Sequence, residues 1–254
     1  MDNLYVEHLS VSFDGFKALN IDSFEVERNE LRVVIGPNGA GKTTLLDVLC
    51  GKTKPDGGHA IFADADLTKM SEDEIVELGV GRKFQAPSVF ESLSVFDNLM
   101  LAIKVNRGVF SSLFHRVSSA EERRIGEVAE QVGLQDVLAQ EAGALSHGQK
   151  QWLEIAMVIL QEPQLLLVDE PAAGMSDEET HRTGELLLQL AADHSLIVIE
   201  HDMEFVRQIA RKVTVLHEGR ILMEGAMDEV QNDPRVIECY LGSAMDRSES
   251  HAAG

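Results

Sequence analysis

A glycine-rich segment, GPNGAGKT at residues 36–43, has the composition and spacing of a loop that binds phosphate groups. It follows a short apolar run and precedes TTLLDVL, which is typical of a helix. Glycines let successive backbone amides point at phosphate oxygens, and the helix N-terminus adds partial positive charge. The predicted nucleotide contacts come from the loop and the start of this helix: Gly36, Pro37, Asn38, Gly39, Ala40, Gly41, Lys42, Thr43 and Thr44.

Two side chains of this loop have chemistry of their own. Lys42 is expected to bridge the β- and γ-phosphates, and the Thr43 hydroxyl is expected to be a Mg²⁺ ligand. GTPases and kinases use the same loop, but the guanine-reading motif Asn-Lys-x-Asp is absent from the sequence. A plain turn between strand and helix is the alternative interpretation, and the complete pattern in this context favours phosphate binding.

A carboxylate pair, Asp169 and Glu170, ends the apolar run QLLLVDE at residues 164–170. Adjacent residues on a strand point to opposite sides, so the two carboxylates are expected to have different roles. Asp169 is predicted to lie on the metal side, directly or through a bound water. Glu170 is then the candidate general base for the water that attacks the γ-phosphate. Without the phosphate loop, the pair would be read as an exposed strand end.

The elements that must position these residues follow from the hydrophobic pattern. Continuous apolar runs at residues 31–35, 164–170 and 195–201 predict strands buried on both faces of a parallel sheet. Ligands of such sheets collect at the carboxyl ends of the strands, where the polar residues stand. Residues 4–13 and 18–27 alternate at short period around Asp14-Gly15, which predicts two antiparallel strands.

The middle of the chain has a different pattern. Residues 87 to about 160 show helical spacing and no buried strand, which predicts a helical insertion. After the third buried run, HDMEFVRQIARK predicts a helix and KVTVLHEGRILMEG predicts a hairpin turning at Glu218-Gly219. Short helices follow, and residues 243–254 are predicted to be a disordered tail.

Composition excludes several classes of function. There are 22 basic and 43 acidic residues, a formal net charge of −21, which argues against a nucleic-acid partner. No apolar run reaches the length of a transmembrane helix, and the first residues have no leader-like pattern. Cys50 and Cys239 are far apart and in no metal-ligand or redox spacing, which suits a reducing compartment.

Between the loop and the carboxylate pair stands LSHGQKQWLEIA, residues 145–156, which resembles the signature sequence of ATP-binding-cassette ATPases. In that family this element completes the nucleotide site of the opposite subunit, so the resemblance implies a dimer. The implied contacts with the partner's nucleotide come from Ser146, His147, Gly148 and Gln149. The family most often has glycine at the position of His147, which could restrict the loop or add a contact.

The resemblance implies further roles. Gln85 in GRKFQAP matches a Mg²⁺-contacting, catalytic glutamine, and His201 in IEHDM matches the histidine that holds the γ-phosphate. With Glu170 and Lys42, these are the expected catalytic residues, and Thr43, Gln85 and Asp169 are the expected metal ligands. Phe13 matches the aromatic residue that stacks on adenine, Phe16 is a weaker candidate, and core packing is the alternative for both. Ser176 stands where the family's interface loop has aspartate.

Residues 4–242 are expected to form one ATP-binding-cassette ATPase domain that uses ATP and Mg²⁺. The implied fold is α/β: a P-loop NTPase (RecA-like) core at residues 4–86 and 161–242, an antiparallel β subdomain, and an inserted α-helical subdomain at residues 87–160.

Within the family, several motifs look like the ATPase subunits of branched-chain amino acid importers, and most closely like those of urea importers. The implied partners are a second, different ATPase subunit, two transmembrane permease subunits and an extracytoplasmic solute-binding protein, with this chain at the cytoplasmic face of the membrane. A lipopolysaccharide-type exporter ATPase and a soluble cassette protein of DNA repair or translation are the further alternatives.

Overall fold

The computed structural model describes residues 3–83, 89–103 and 118–240. The predicted ligand Gln85 and the predicted tail at residues 243–254 lie outside these described residues. The strands are β1 (Leu4–Phe13), β2 (Phe16–Val26), β3 (Leu31–Ile35), β4 (Gly57–Phe62), β5 (Ala65–Asp66), β6 (Val80–Lys83), β7 (Leu165–Asp169), β8 (Ser195–Ile199), β9 (Lys212–His217) and β10 (Arg220–Gly225). The helices are α1 (Lys42–Leu49), α2 (Glu72–Glu77), α3 (Val95–Ala102), α4 (Ser119–Val132), α5 (His147–Ile159), α6 (Asp177–Leu190), α7 (Met203–Ile209) and α8 (Met227–Asn232), followed by helical residues 234–240.

Two sheets form the framework. One is antiparallel, in the order β2-β1-β4-β5. The other has the order β10-β9-β3-β8-β7-β6, parallel from β9 to β6 with β10 antiparallel at the edge. This topology confirms the predicted α/β class, and the three predicted buried strands β3, β7 and β8 lie side by side at its centre. The sequence analysis did not predict β4, β5 or β6.

The central strands supply residues to two cores on opposite faces of the mixed sheet. On β7, Leu166 and Val168 join the core beneath helices α3 to α7, while Leu165 and Leu167 join the core shared with α1 and the antiparallel sheet. Strands β3 and β8 alternate in the same way. Because a strand has a side-chain period of two, burial on both faces requires the continuous apolar runs seen in the sequence.

A fully buried arginine joins the two sheets. Arg32 of β3 donates to Glu30 Oε1 at 2.6 Å and to the Thr214 hydroxyl at 2.9 Å, and it also contacts the Glu224 carboxylate. Its Nη2 donates to the Glu25 backbone carbonyl at 2.8 Å. The guanidinium of β3 is therefore linked to β2, β9 and β10 and to Glu30, which directly precedes β3.

The helical insertion is attached to the core through α5 and α6. Trp152 of α5 is buried, and its indole N–H donates to the Thr183 hydroxyl on α6 at 2.9 Å. The Arg182 guanidinium lies over the same indole, 4.6 Å from the ring centroid.

Among the described residues, no helix combines the length and apolar character that a membrane span requires.

Candidate functional site

Backbone geometry explains two glycines of the predicted phosphate loop. Gly36 has φ of 151°, and a Cβ there would lie 2.0 Å from the Leu216 carbonyl oxygen. Gly41 has φ of 100°, and its Cβ would lie 2.5 Å from the Ala18 carbonyl oxygen. Both positions combine a left-handed φ with close packing against backbone, so only glycine is compatible with this path of the loop.

The helix that follows the loop begins without a side-chain cap. Gly41 is the N-cap of α1 and provides no side-chain acceptor, whereas α2 to α7 each begin at a serine or aspartate whose side chain accepts a backbone N–H. The first amides of a helix need an acceptor, and together with the helix dipole they favour an anion. The start of α1 therefore fits the phosphates of a nucleotide.

Lys42 lies over this loop. Its ammonium donates to the Gly36 carbonyl at 2.7 Å and to the Pro37 carbonyl at 3.1 Å. Burial lowers the pKa of Lys42, while the nearby Glu170 and Asp169 carboxylates act in the opposite direction. The three charged groups are therefore close enough to influence one another, as a site for a phosphate and a cation requires.

Asp169 fits a role on the metal side. It is buried at the end of β7, and its Oδ1 has no hydrogen-bond partner within the described part of the chain. Its Oδ2 lies 3.7 Å from Arg82 Nη2. Burial raises the pKa of Asp169, the Arg82 guanidinium lowers it, and Glu170 raises it. An unpaired buried carboxylate oxygen is suited to Mg²⁺ or to a water bound to it.

The described residues do not enclose a metal by themselves. Within the ranges that the structure describes, no three His, Cys, Asp or Glu side chains converge on a possible metal position. Thr43, the other described candidate ligand, is exposed in the first turn of α1. This arrangement fits Mg²⁺, which in nucleotide sites takes one or two protein oxygens and fills its remaining positions with phosphate oxygens and water.

Glu170 occupies a separate environment from its neighbour. It follows the last residue of β7 with φ of 47°, and its side chain is 27% exposed. Its Oε1 lies 3.4 Å from His201 Nδ1, and its backbone N–H donates to the Ile199 carbonyl at 3.0 Å. The structure therefore brings together the predicted base and the predicted histidine, one at the end of β7 and the other after β8.

The sequence analysis missed Glu200. This buried carboxylate accepts backbone N–H groups from Ala172 at 3.2 Å, His201 at 3.0 Å and Asp202 at 3.5 Å. Burial raises its pKa, and these three hydrogen bonds act against the rise. Glu200 thus connects the loop after Glu170 to the backbone at His201 and Asp202. Its position directly after the buried run of β8 was the only available signal.

The structure rejects core packing for the two aromatic candidates. Phe13 is 49% exposed and Phe16 is 66% exposed, and they face each other across the β1-β2 turn. Phe16 lines a cavity of about 540 Å³ together with Pro37 to Ala40 of the phosphate loop, and Phe13 is not among its lining residues. Adenine stacking stays a prediction for Phe13, and the cavity favours Phe16 as well.

The signature residues form the first turn of α5. Ser146 is the N-cap, and its hydroxyl accepts the Gln149 N–H at 3.1 Å, while the Gln149 side chain accepts the Ser146 N–H at 3.0 Å. The His147 ring nitrogen Nε2 lies 3.0 Å from the Ala173 carbonyl oxygen, in the loop that follows Glu170. Capping is therefore part of the role of this turn, and a contact of Ser146, His147, Gly148 or Gln149 with a partner's nucleotide stays a prediction.

Comparison with known families assigns most of this region. A family described as ABC transporter matches residues 19–173, which include the loop, the signature and the carboxylate pair. A second family, described as branched-chain amino acid ATP-binding cassette transporter, matches residues 220–246.

Individual relatives match along nearly their whole length. The high-affinity branched-chain amino acid transport ATP-binding protein LivG of Salmonella typhimurium is 36% identical over 250 residues, covering 95% of this chain and 98% of LivG. A probable LivG of Archaeoglobus fulgidus is 35% identical, with 96% of each chain covered. Among solved structures, an ATP-binding cassette of an ABC transporter in its ADP conformation superposes with a TM-score of 0.85 at 30% identity, covering 95% of this chain and 99% of the other.

Proposed function

The chain belongs to the ATP-binding cassette ATPases of ABC transporters, and from that premise we propose that it drives the uptake of branched-chain amino acids. The C-terminal match at residues 220–246 carries the choice of solute, because it lies outside residues 19–173, which the general ABC transporter family matches. The two LivG relatives, named as branched-chain amino acid transport proteins, support the same solute. The family match and the relatives favour branched-chain amino acids, whereas the sequence motifs favoured urea.

In the proposed reaction the described residues have distinct tasks. The phosphate loop and the start of α1 bind the phosphates, and Lys42 compensates the charge of the β- and γ-oxygens. Glu170 accepts a proton from the attacking water, and His201, 3.4 Å from it, orients that carboxylate. Mg²⁺, when bound beside Asp169 and Thr43, supplies further charge neutralisation at the phosphates.

The chain is further proposed to act as one half of a dimer at the cytoplasmic face of the membrane. Each nucleotide would lie between the phosphate loop of one cassette and Ser146 of the other, so that ATP closes the dimer and hydrolysis reopens it. Partners would be a second ATPase subunit, two permease subunits and a solute-binding protein. Exposed Phe90, at the start of the helical insertion, is the proposed contact with a permease.

The solute is tested by uptake. In cells that contain the complete transporter, Lys42→Ala in this chain should abolish uptake of radiolabelled leucine and leave urea uptake unchanged, because the variant cannot bind ATP productively. Loss of urea uptake with normal leucine uptake would support the urea alternative instead. Normal uptake of both would contradict the proposed solute.

The shared nucleotide site is tested with a double substitution. In the assembled transporter carrying Lys42→Ala, the remaining ATP hydrolysis comes from the partner's phosphate loop. Adding Ser146→Ala should reduce that remaining rate about tenfold, the scale of one charge-assisted hydrogen bond. If Ser146 served its own loop, the second substitution would change nothing. Ser118→Ala is the matched control, because Ser118 caps α4 with the same pair of hydrogen bonds, formed there with Glu121.

A further inference from the structure

Helices α5 and α6 begin side by side and share one carboxylate. Glu179 Oε2 accepts the Ser176 N–H and the Ser176 hydroxyl, each at 3.1 Å, and so completes the capping box of α6. Its other oxygen, Oε1, accepts the hydroxyl of Ser146 at 2.9 Å. Glu179 therefore connects the signature serine at the start of α5 to the start of α6.

This contact uses the only proton of the Ser146 hydroxyl. Ser146 Oγ already accepts the Gln149 N–H at 3.1 Å, and its own hydrogen is directed at Glu179. A hydroxyl donates one hydrogen bond. Ser146 can therefore donate to a phosphate oxygen only after it has released Glu179.

Glu179 would be a negative charge at the edge of a phosphate site. Its hydrogen bonds from Ser176 and Ser146 lower its pKa, so the carboxylate stays ionised at neutral pH. The close approach depends on Gly148, since a Cβ there would lie 2.5 Å from the carboxylate carbon of Glu179. An incoming phosphate thus meets both competition for the Ser146 proton and repulsion by a carboxylate held at α6.

The start of α6 is also connected, through a short loop, to the predicted general base Glu170 of the same chain. Residues 171–176 run from Glu170 to the cap of α6, and the ring of His147 contacts this loop 3.0 Å from the Ala173 carbonyl oxygen. The first turn of α5 is thus tied to the loop at two points, through Glu179 and through His147.

We propose that Glu179 is a positioning residue that holds Ser146 against α6 until a phosphate on the partner's nucleotide takes the hydroxyl. Binding across the interface then frees the start of α6 and the loop that follows Glu170 in the same chain. This coupling of one nucleotide site to the other rests on the function proposed above. It also raises the ATP concentration needed to close the dimer, because the phosphate must displace the Glu179 carboxylate from Ser146.

The test is Glu179→Gln in the assembled transporter, with MgATP as the ligand. Glutamine can still cap Ser176 in a capping box through its one carbonyl oxygen, but its amide nitrogen then replaces the oxygen that accepts from Ser146, and the side chain carries no charge. The KM for ATP should fall about threefold, the scale of one partly exposed charge, while kcat stays within a factor of about two. Glu178→Gln is the control, because Glu178 is exposed in the same helical turn and its removal changes net charge equally.

A double-mutant cycle checks that the effect passes through the serine. In a Ser146→Ala background, Glu179→Gln should lower KM by less than it does in the unsubstituted complex, because the competition for the hydroxyl is gone and only the repulsion between carboxylate and phosphate remains. Equal KM values for Glu179→Gln and Glu178→Gln, or an unchanged Glu179→Gln effect in the Ser146→Ala background, would overturn the proposal. In either case the proposed function would stand as long as the unsubstituted complex hydrolyses ATP and Lys42→Ala lowers that rate. A complex whose hydrolysis does not depend on Lys42 would count against the proposed function itself.

Discussion

Glu170→Gln should reduce steady-state ATP hydrolysis about 10²- to 10⁴-fold, the range associated with loss of a general base. The amide keeps the shape of the side chain and its position near His201, but it cannot accept the proton of the attacking water. ATP binding should be retained, because the phosphate loop and Lys42 are untouched, and the closed dimer should accumulate. Phosphate release and size-exclusion chromatography with MgATP measure the two effects.

Glu162→Gln is a closely matched control for this substitution. Glu162 is an exposed carboxylate with φ of 55°, near the 47° of Glu170, so both variants place glutamine in a left-handed backbone conformation. It stands before β7, at the other end of the strand from Glu170. If the Glu170→Gln variant hydrolysed ATP at the rate of the Glu162→Gln control, Glu170 would not be the general base.

Arg32→Met should lower the free energy of unfolding by about 3 kcal/mol, the lower end of the range for breaking a buried ion pair. Methionine fills much of the volume but leaves Glu30 and Glu224 without their cation and Thr214 without its donor. Glu224 is partly exposed, and water can solvate it, so the upper end of the range is not expected. Urea unfolding followed by circular dichroism measures the change.

Arg211→Met provides the comparison, because Arg211 is exposed next to β9 and the substitution removes the same charge. Its unfolding midpoint should stay close to that of the unsubstituted protein. If Arg32→Met were as stable as Arg211→Met, the four segments around Arg32 would be held by apolar packing alone.

The central strands were predictable because burial on both faces leaves a continuous apolar run. The run LRVVI of β3 also contains Arg32, and the hydrophobic pattern gives no reason for an arginine there. The reason is its acceptors, which come from β9, β10 and the β2 backbone, all distant in the sequence. Strand β6 was missed for the same reason. Its residues Arg82 and Lys83 are charged, yet their side chains are only 5% and 2% exposed, and their partners Asp47 and Glu154 lie on helices far away in the sequence.

The phosphate loop was predictable because its chemistry is local: glycines, lysine and the helix start are consecutive in the chain. The contacts of His147 with Ala173 and of Ser146 with Glu179 are not local, and the residues are 26 and 33 positions apart. Sequence patterns do not show which loop a helix N-terminus will meet. The interface roles of His147 and Ser176 stay predictions, and the contacts within the chain could be found only from the fold.

The glycine cap of α1 has a consequence for the energetics of the whole chain. A helix start without its own acceptor is completed by a bound anion, so the same hydrogen bonds belong both to folding and to ligand affinity. By mass action a ligand stabilises the folded state by about 2.7 kcal/mol at a concentration one hundred times its dissociation constant. Wherever nucleotide is abundant, the thermodynamic stability of this cassette is thus a shared property of polypeptide and ligand, and the resistance of the chain to unfolding and proteolysis follows the supply of ATP.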